Sequence, residues 1–216
     1  MRGGSFALFS ACQTEIRINF SFFLLPISLF VYYGRLYGPQ VGTRAAVLVT
    51  LIFACVLIHE LTHCWVASRF GIRTRSITLY LFGGVASLDS ISRRPWEEFW
   101  ISLAGPAANF LLAGVLFLTL RSMLGDAQLW RPSVDAWPNL LTNLLWGNLA
   151  LGTFNLIPAF PMDGGRIARS LLTGWIGFGK ATQISVFLGR VFAILMAVFG
   201  VWKGNWLLVL VAVFVF

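Results

Sequence analysis

Charge is scarce in this chain. Of its 216 residues only 11% are Asp, Glu, Lys or Arg, against roughly 25% in a soluble domain. So small a polar complement cannot cover the surface of a water-soluble protein of this size. Disorder is excluded as well, because it needs the opposite balance. Histidine is scarcer still, with two in the whole chain, and there are three cysteines, Cys12, Cys55 and Cys64. Three scattered thiols exclude a disulfide framework. Cys55 and Cys64 lie in an apolar stretch and read as small buried hydrophobes. Met1 to Ser10 lack the basic start, long apolar run and small-residue site of a cleavable signal peptide.

What the chain has in abundance is apolar bulk: 58% hydrophobic residues, with 20 Phe and 9 Trp. That is the composition of a membrane protein. The net charge is +8. No basic stripe is interleaved with exposed aromatics, so the charge argues for membrane topology and against nucleic acid as a partner. The lipid bilayer is the first partner expected.

The apolar runs predict an all-α polytopic membrane protein with about six transmembrane helices. The runs are Ile18 to Tyr33, Ala45 to Val66, Trp100 to Leu120, Asn139 to Ile157, Ile184 to Val201 and Trp206 to Phe216. The second is long enough to cross roughly 30 Å of hydrocarbon. The last covers only about 16 Å, so the sixth span is expected to be incomplete, with residues beyond Phe216 in the natural protein. A distortion is expected at Gly105-Pro106 inside the third run. The segment Arg121 to Pro138 is polar, with Trp130 and Trp137 as interface anchors. Between the second and third spans, near residues 75–90, Ile77, Leu79 and Leu81 alternate with Thr78, Tyr80 and Phe82 ahead of Gly83-Gly84. That pattern predicts a short β-hairpin. Three segments follow: 1–44 with the first span, 45–175 with the second to fourth spans and the hairpin, and 176–216 with the last spans. A helix is also expected to resume over Arg166 to Trp175.

Orientation comes from Lys and Arg. With the N-terminus in the cytoplasm, that side holds Arg2, Arg17, Arg69, Arg73, Arg75, Arg93, Arg94, Arg166, Arg169 and Lys180. The other side holds Arg35, Arg44, Arg121, Arg131 and Lys203. The excess predicts a multi-pass protein of the cell membrane with its N-terminus inside.

The second span carries His59-Glu60-Leu61-Thr62-His63, which contains both histidines of the chain. Residues four apart share a helix face, so His59 and His63 can bind one zinc ion. Glu60 supplies a carboxylate able to take a proton from water whose pKa the ion lowers toward about 7. An ionisable cluster inside a span is a functional candidate by default. A catalytic zinc takes three protein ligands, and no third histidine exists. The third must be Asp, Glu or Cys at the same depth. His59 lies about 14 residues, or roughly 21 Å, into its span, toward the cytoplasmic side. Asp163 fits that depth, in the break Pro161-Met162-Asp163-Gly164-Gly165 after the fourth span. Cys55, one turn before His59, shares its face. Asp89, Glu97 and Glu98 read as solvated loop or helix-start charges. Asn109 and Asn155 can each bond a neighbouring helix, and Asn155 can alternatively steady an oxyanion beside the ion.

Taken in order, four motifs resemble the site-2 protease family of intramembrane zinc metalloproteases. They are His59-Glu60-Leu61-Thr62-His63, Phe82-Gly83-Gly84, Ala104-Gly105-Pro106-Ala107-Ala108-Asn109, and Asn155-Leu156-Ile157-Pro158 leading to Pro161-Met162-Asp163-Gly164-Gly165. The resemblance covers about residues 15–200 and is closest to the small six-span branch. It implies that His59, His63 and Asp163 bind one zinc, that Glu60 is the general base, and that Asn155 lies near the scissile peptide. It implies a metalloendopeptidase whose substrate is the transmembrane helix of a membrane-anchored regulatory protein. Two other classes stay open: a non-cleaving relative that binds membrane helices around a structural zinc, and a zinc transporter. A transporter usually shows internal repeats and ionisable pairs across several spans, and this sequence shows neither.

Overall fold

The computed structural model of the chain describes residues 4–11, 14–81, 83–88, 94–124, 137 and 139–216. It is mostly helical, with one small sheet. In chain order the elements are β1 (Ser5–Ala11), β2 (Thr14–Asn19), a 3₁₀ turn (Phe20–Phe23), α1 (Leu24–Tyr37), α2 (Pro39–Arg69), β3 (Thr74–Tyr80), β4 (Gly83–Leu88), α3 (Pro95–Leu124), α4 (Asn139–Asn155), α5 (Asp163–Ile176), α6 (Phe178–Trp202) and α7 (Trp206–Val215). They form two compact units, Met1–Ile91 with Ala107–Gly152, and Ser92–Pro106 with Thr153–Phe216.

Four helical segments are long and apolar enough to cross a membrane: Phe20–Tyr37, Pro39–Arg69, Pro95–Met123 and Phe178–Trp202. They stand where the first, second, third and fifth spans are expected. The other two runs also form helices, but α4 has 17 residues and α7 has 10. At 1.5 Å per residue α4 reaches about 25 Å, short of a full crossing. Length and composition therefore support four spans among the described residues. The spans carry large apolar side chains outward: Leu111 is 71% exposed and Leu118 66%. Such exposure is a liability in water and suits contact with acyl chains.

In the first unit the strand order is β1-β2-β3-β4. The predicted hairpin is there: β3 and β4 pair antiparallel, with Leu79 opposite Gly84 and Tyr80 opposite Gly83. Phe82 and Asp89 lie outside the described residues, as do Trp130 and Arg131. The sheet is larger than the sequence reading allows. β2 pairs parallel with β3, Ile16 opposite Ile77 and Ile18 opposite Leu79, and β1 closes a second hairpin on β2. Ile18, expected to open the first span, is therefore a strand residue, and α1 starts at Leu24. Thr14, Ile16 and Ile18 alternate inward along β2, the period-2 pattern of a strand with one covered face. The sheet is held to α2 by a cluster of Ile18, Phe22, Phe53 and Leu79, with the Phe22 and Phe53 rings edge-on at 4.8 Å. The turn from α1 into α2 is one residue, Gly38, at φ 93°, a conformation that glycine adopts without strain. Pro39 follows at the first position of α2, where its missing N–H costs nothing. Farther along, Ala113 and Leu120 of α3 pack with Leu145 of α4.

The second unit contains the start of α3, the loop after α4, and α5 to α7. α3 continues unbroken through Pro106, so the distortion expected at Gly105-Pro106 does not interrupt the helix. Ala159 and Met162 pack against Ala193 of α6 and Val215 of α7. The Phe160 N–H donates to the Ser185 carbonyl at 3.2 Å. The helix expected over Arg166 to Trp175 is α5, which begins earlier, at Asp163.

Candidate metal centre

α2 is a 31-residue helix, and its pitch sets the geometry of its two histidines. His59 and His63 stand one turn apart on its inner face, 5% and 8% exposed. Their Nε2 atoms are 3.0 Å apart, with the rings near perpendicular at 84°. Two ring nitrogens this close can share a proton or a cation. The donor chemistry therefore fits a soft-to-borderline metal such as zinc. The other nitrogen of His59, Nδ1, lies 2.9 Å from Asn109 Oδ1 on α3. Asn109 is fully buried.

Glu60 is the next residue along α2 and is half-buried. β4 passes directly over it. A Cβ built on Gly84 would stand 2.9 Å from Glu60 Cγ, so glycine at 84 is what lets the strand lie on the carboxylate side chain. Gly84→Ala should therefore cost about 1–3 kcal/mol through overpacking, read as a lowered thermal midpoint in detergent, and an unshifted midpoint would show that Glu60 has room to spare.

Asp163 is the first residue of α5 and the acidic residue of its first turn. A carboxylate there meets the positive end of the helix dipole. The break that precedes it, Leu156 to Met162, is irregular backbone between α4 and α5, with a cis Phe160-Pro161 peptide. Asp163 stands in the second unit, and His59 and His63 stand in the first.

The sequence pattern of peptidase family M50 matches residues 47–130 and 122–197. The chain belongs to peptidase family M50, the site-2 protease family. It is 40% identical over 171 residues to a zinc metalloprotease of Methanocaldococcus jannaschii, covering 79% of this chain and 48% of that protein. It is 29% identical over 160 residues to stage IV sporulation protein FB of Bacillus subtilis, covering 74% of this chain and 51% of that one. The chain thus spans about half the length of these curated relatives. Among solved structures it resembles a site-2 protease from Methanocaldococcus jannaschii, with TM-score 0.71 and 34% identity, covering 98% of this chain and 91% of that one.

Other candidates in this M50 chain take different places. Asn155 ends α4 and is half-buried. The Cys55 Sγ accepts from Asn148 Nδ2 at 3.3 Å. Glu97 pairs with the exposed Arg94 at 3.2 Å, as a helix-start charge would. Glu98 corrects the sequence reading. It does lie in the first turn of α3, but it is 3% exposed and ion-paired with Arg169 of α5, Arg169 Nε donating to Oε2 at 3.3 Å. Arg166 Nε stands 3.8 Å from the same carboxylate. The arginines lie some seventy residues on, so no local pattern announces the pair. Arg169 also stacks over the Phe160 and Phe178 rings, 5.0 and 4.8 Å from their centroids. Removing the carboxylate would strand a guanidinium that is 12% exposed. Glu98→Ala should therefore cost about 3–5 kcal/mol, read as a lowered thermal midpoint in detergent. An unshifted midpoint would mean that solvent reaches the pair.

Proposed function

We propose that this M50 chain is an intramembrane zinc metalloendopeptidase that hydrolyses a peptide bond in or near a transmembrane helix of a membrane-anchored regulatory protein. The observation that carries the reading is the buried, convergent His59–His63 pair with Glu60 between them on a helix long enough to span a bilayer. His59, His63 and Asp163 hold one zinc ion per chain. Zinc bound there supplies Lewis-acid activation of water and of the scissile carbonyl.

Glu60 takes the proton of the attacking water as its oxygen bonds to the carbonyl carbon. It returns that proton to the nitrogen as the C–N bond breaks. Asn155 steadies the charge that builds on the carbonyl oxygen. A substrate helix hides its carbonyls in internal hydrogen bonds, so a stretch of it must unwind first. β4 ends the strand order and lies over Glu60, so its outer edge can receive the unwound stretch as an added strand. The protein sits in the cell membrane with its N-terminus and active site toward the cytoplasm, the side on which the arginines and lysines gather.

Co-expression of the active chain and of Glu60→Gln with candidate single-span proteins tests this. A shortened product that appears only with the active chain supports it. Zinc near one per chain with no cleavage of any substrate would favour the non-cleaving reading.

A further inference from the structure

We propose that Asn109 is a positioning residue that fixes His59 in the one tautomer able to bind a metal. The inference rests on the reading that His59 and His63 hold the ion. Asn109 is fully buried, and its Oδ1 lies 2.9 Å from His59 Nδ1. An amide oxygen only accepts, so the hydrogen of a neutral His59 ring sits on Nδ1. Nε2 is then left with its lone pair, facing His63 Nε2 at 3.0 Å. The opposite amide orientation would set an NH₂ group against Nδ1 and move the ring hydrogen to Nε2. His63 Nε2 could accept that hydrogen, and the two rings would close on each other with no lone pair for a cation. The orientation of one amide therefore separates an open ligand pair from a closed one. This is the role that outer hydrogen-bond partners play for metal-bound imidazoles.

A second observation says what Asn109 is for. Its Nδ2 is buried and has no hydrogen-bond partner among the described residues. A leucine would fill nearly the same volume and strand no donor. What leucine lacks is the acceptor on His59. A contrast lies in the same unit: Asn148 is equally buried, but its Nδ2 donates to the Leu144 carbonyl at 2.9 Å and to Cys55. Asn148 is bound to its own helix and to a thiol, and to neither histidine in those bonds.

The test is the zinc dissociation constant, measured by chelator competition on the purified full chain in detergent. Asn109→Leu should weaken zinc by about 10–100-fold. Asn109→Asp keeps an acceptor in place and should hold zinc at least as tightly as the wild type. Asn148→Leu should leave zinc affinity unchanged. Wild-type affinity in Asn109→Leu overturns the inference, as does an equal loss in Asn148→Leu. Should Asn109→Leu fail to fold, Asn109→Asp decides: retained zinc supports the inference, and a tenfold loss overturns it. A wild-type chain that holds no zinc brings down the metal reading itself, and this inference with it.

Discussion

Glu60→Gln is expected to abolish proteolysis while leaving zinc bound. The substitution keeps the length and shape of the side chain, so the contact of its Cγ with the backbone at Gly84 survives. It leaves His59, His63 and Asn109 themselves in place. It removes the one property the reaction needs, a carboxylate that can take a proton and give it back. Loss of a positioned general base costs about 10²–10⁴-fold, enough to erase product from a co-expression assay. The measurement pairs two readouts: shortened substrate, and zinc per chain in the purified variant. Cleavage at the wild-type rate would refute the role of Glu60. Zinc lost along with cleavage would mean that the glutamate matters to the metal site rather than to the proton.

Gly165→Ala is expected to damage stability and zinc binding together. A Cβ at 165 would stand 2.6 Å from both the Ala159 carbonyl carbon and the Phe160 nitrogen. Both are backbone atoms and cannot rotate away. The loop has no slack on its other sides. A Cβ at Gly164 would collide with the Leu156 and Ile157 backbone, and one at Gly189 on α6 with the Phe160 carbonyl. The loop is thus pressed between the start of α5 and α6 by three close backbone contacts. Overpacking of this kind costs about 3 kcal/mol at its upper range, roughly a 10 °C fall in midpoint for a chain of this size. Asp163 is two residues away, and the Gly165 N–H bonds the Met162 carbonyl at 3.0 Å. Any shift of the loop therefore moves the carboxylate, and zinc content should drop with the midpoint. A wild-type midpoint in the alanine variant would show that the loop yields freely.

The parts legible from sequence were those set by short spacing. His59 and His63 share a face because four residues make about one turn, and the β3–β4 hairpin follows from alternation ahead of Gly83-Gly84. The parts missed depend on partners far along the chain. Thr14–Asn19 alternates as a strand should, yet its partner Thr74–Tyr80 lies sixty residues away, and the apolar run that follows drew Ile18 into a helix. Glu98 looks like any acid at a helix start until Arg169 arrives beside it. Asn109 lies fifty residues from His59, so sequence offered only an amide at membrane depth. A polar residue in a span asks for a partner, but the fold alone names which.

The parallel pairing of β2 with β3 also dictates an order of events. β1 and β2 are made before α1 and α2 and can close their hairpin at once, since they are neighbours in the chain. β2 then waits, because its second partner emerges only after all of α1 and α2. Two helices must enter the bilayer before the strand that precedes them can be stitched to the strand that follows. The histidines and Glu60 ride on the second of those helices, inside the loop of chain that this pairing closes. The sheet is therefore a late fastener. It can close only once the helix bearing the two histidines has been made, and β4 joins β3 over Glu60 after that. Until then Phe6, Leu8 and Phe9 of β1, which stay partly exposed even in the finished fold, have only the hairpin for company. The two strands are made before the helices that follow them and locked after them.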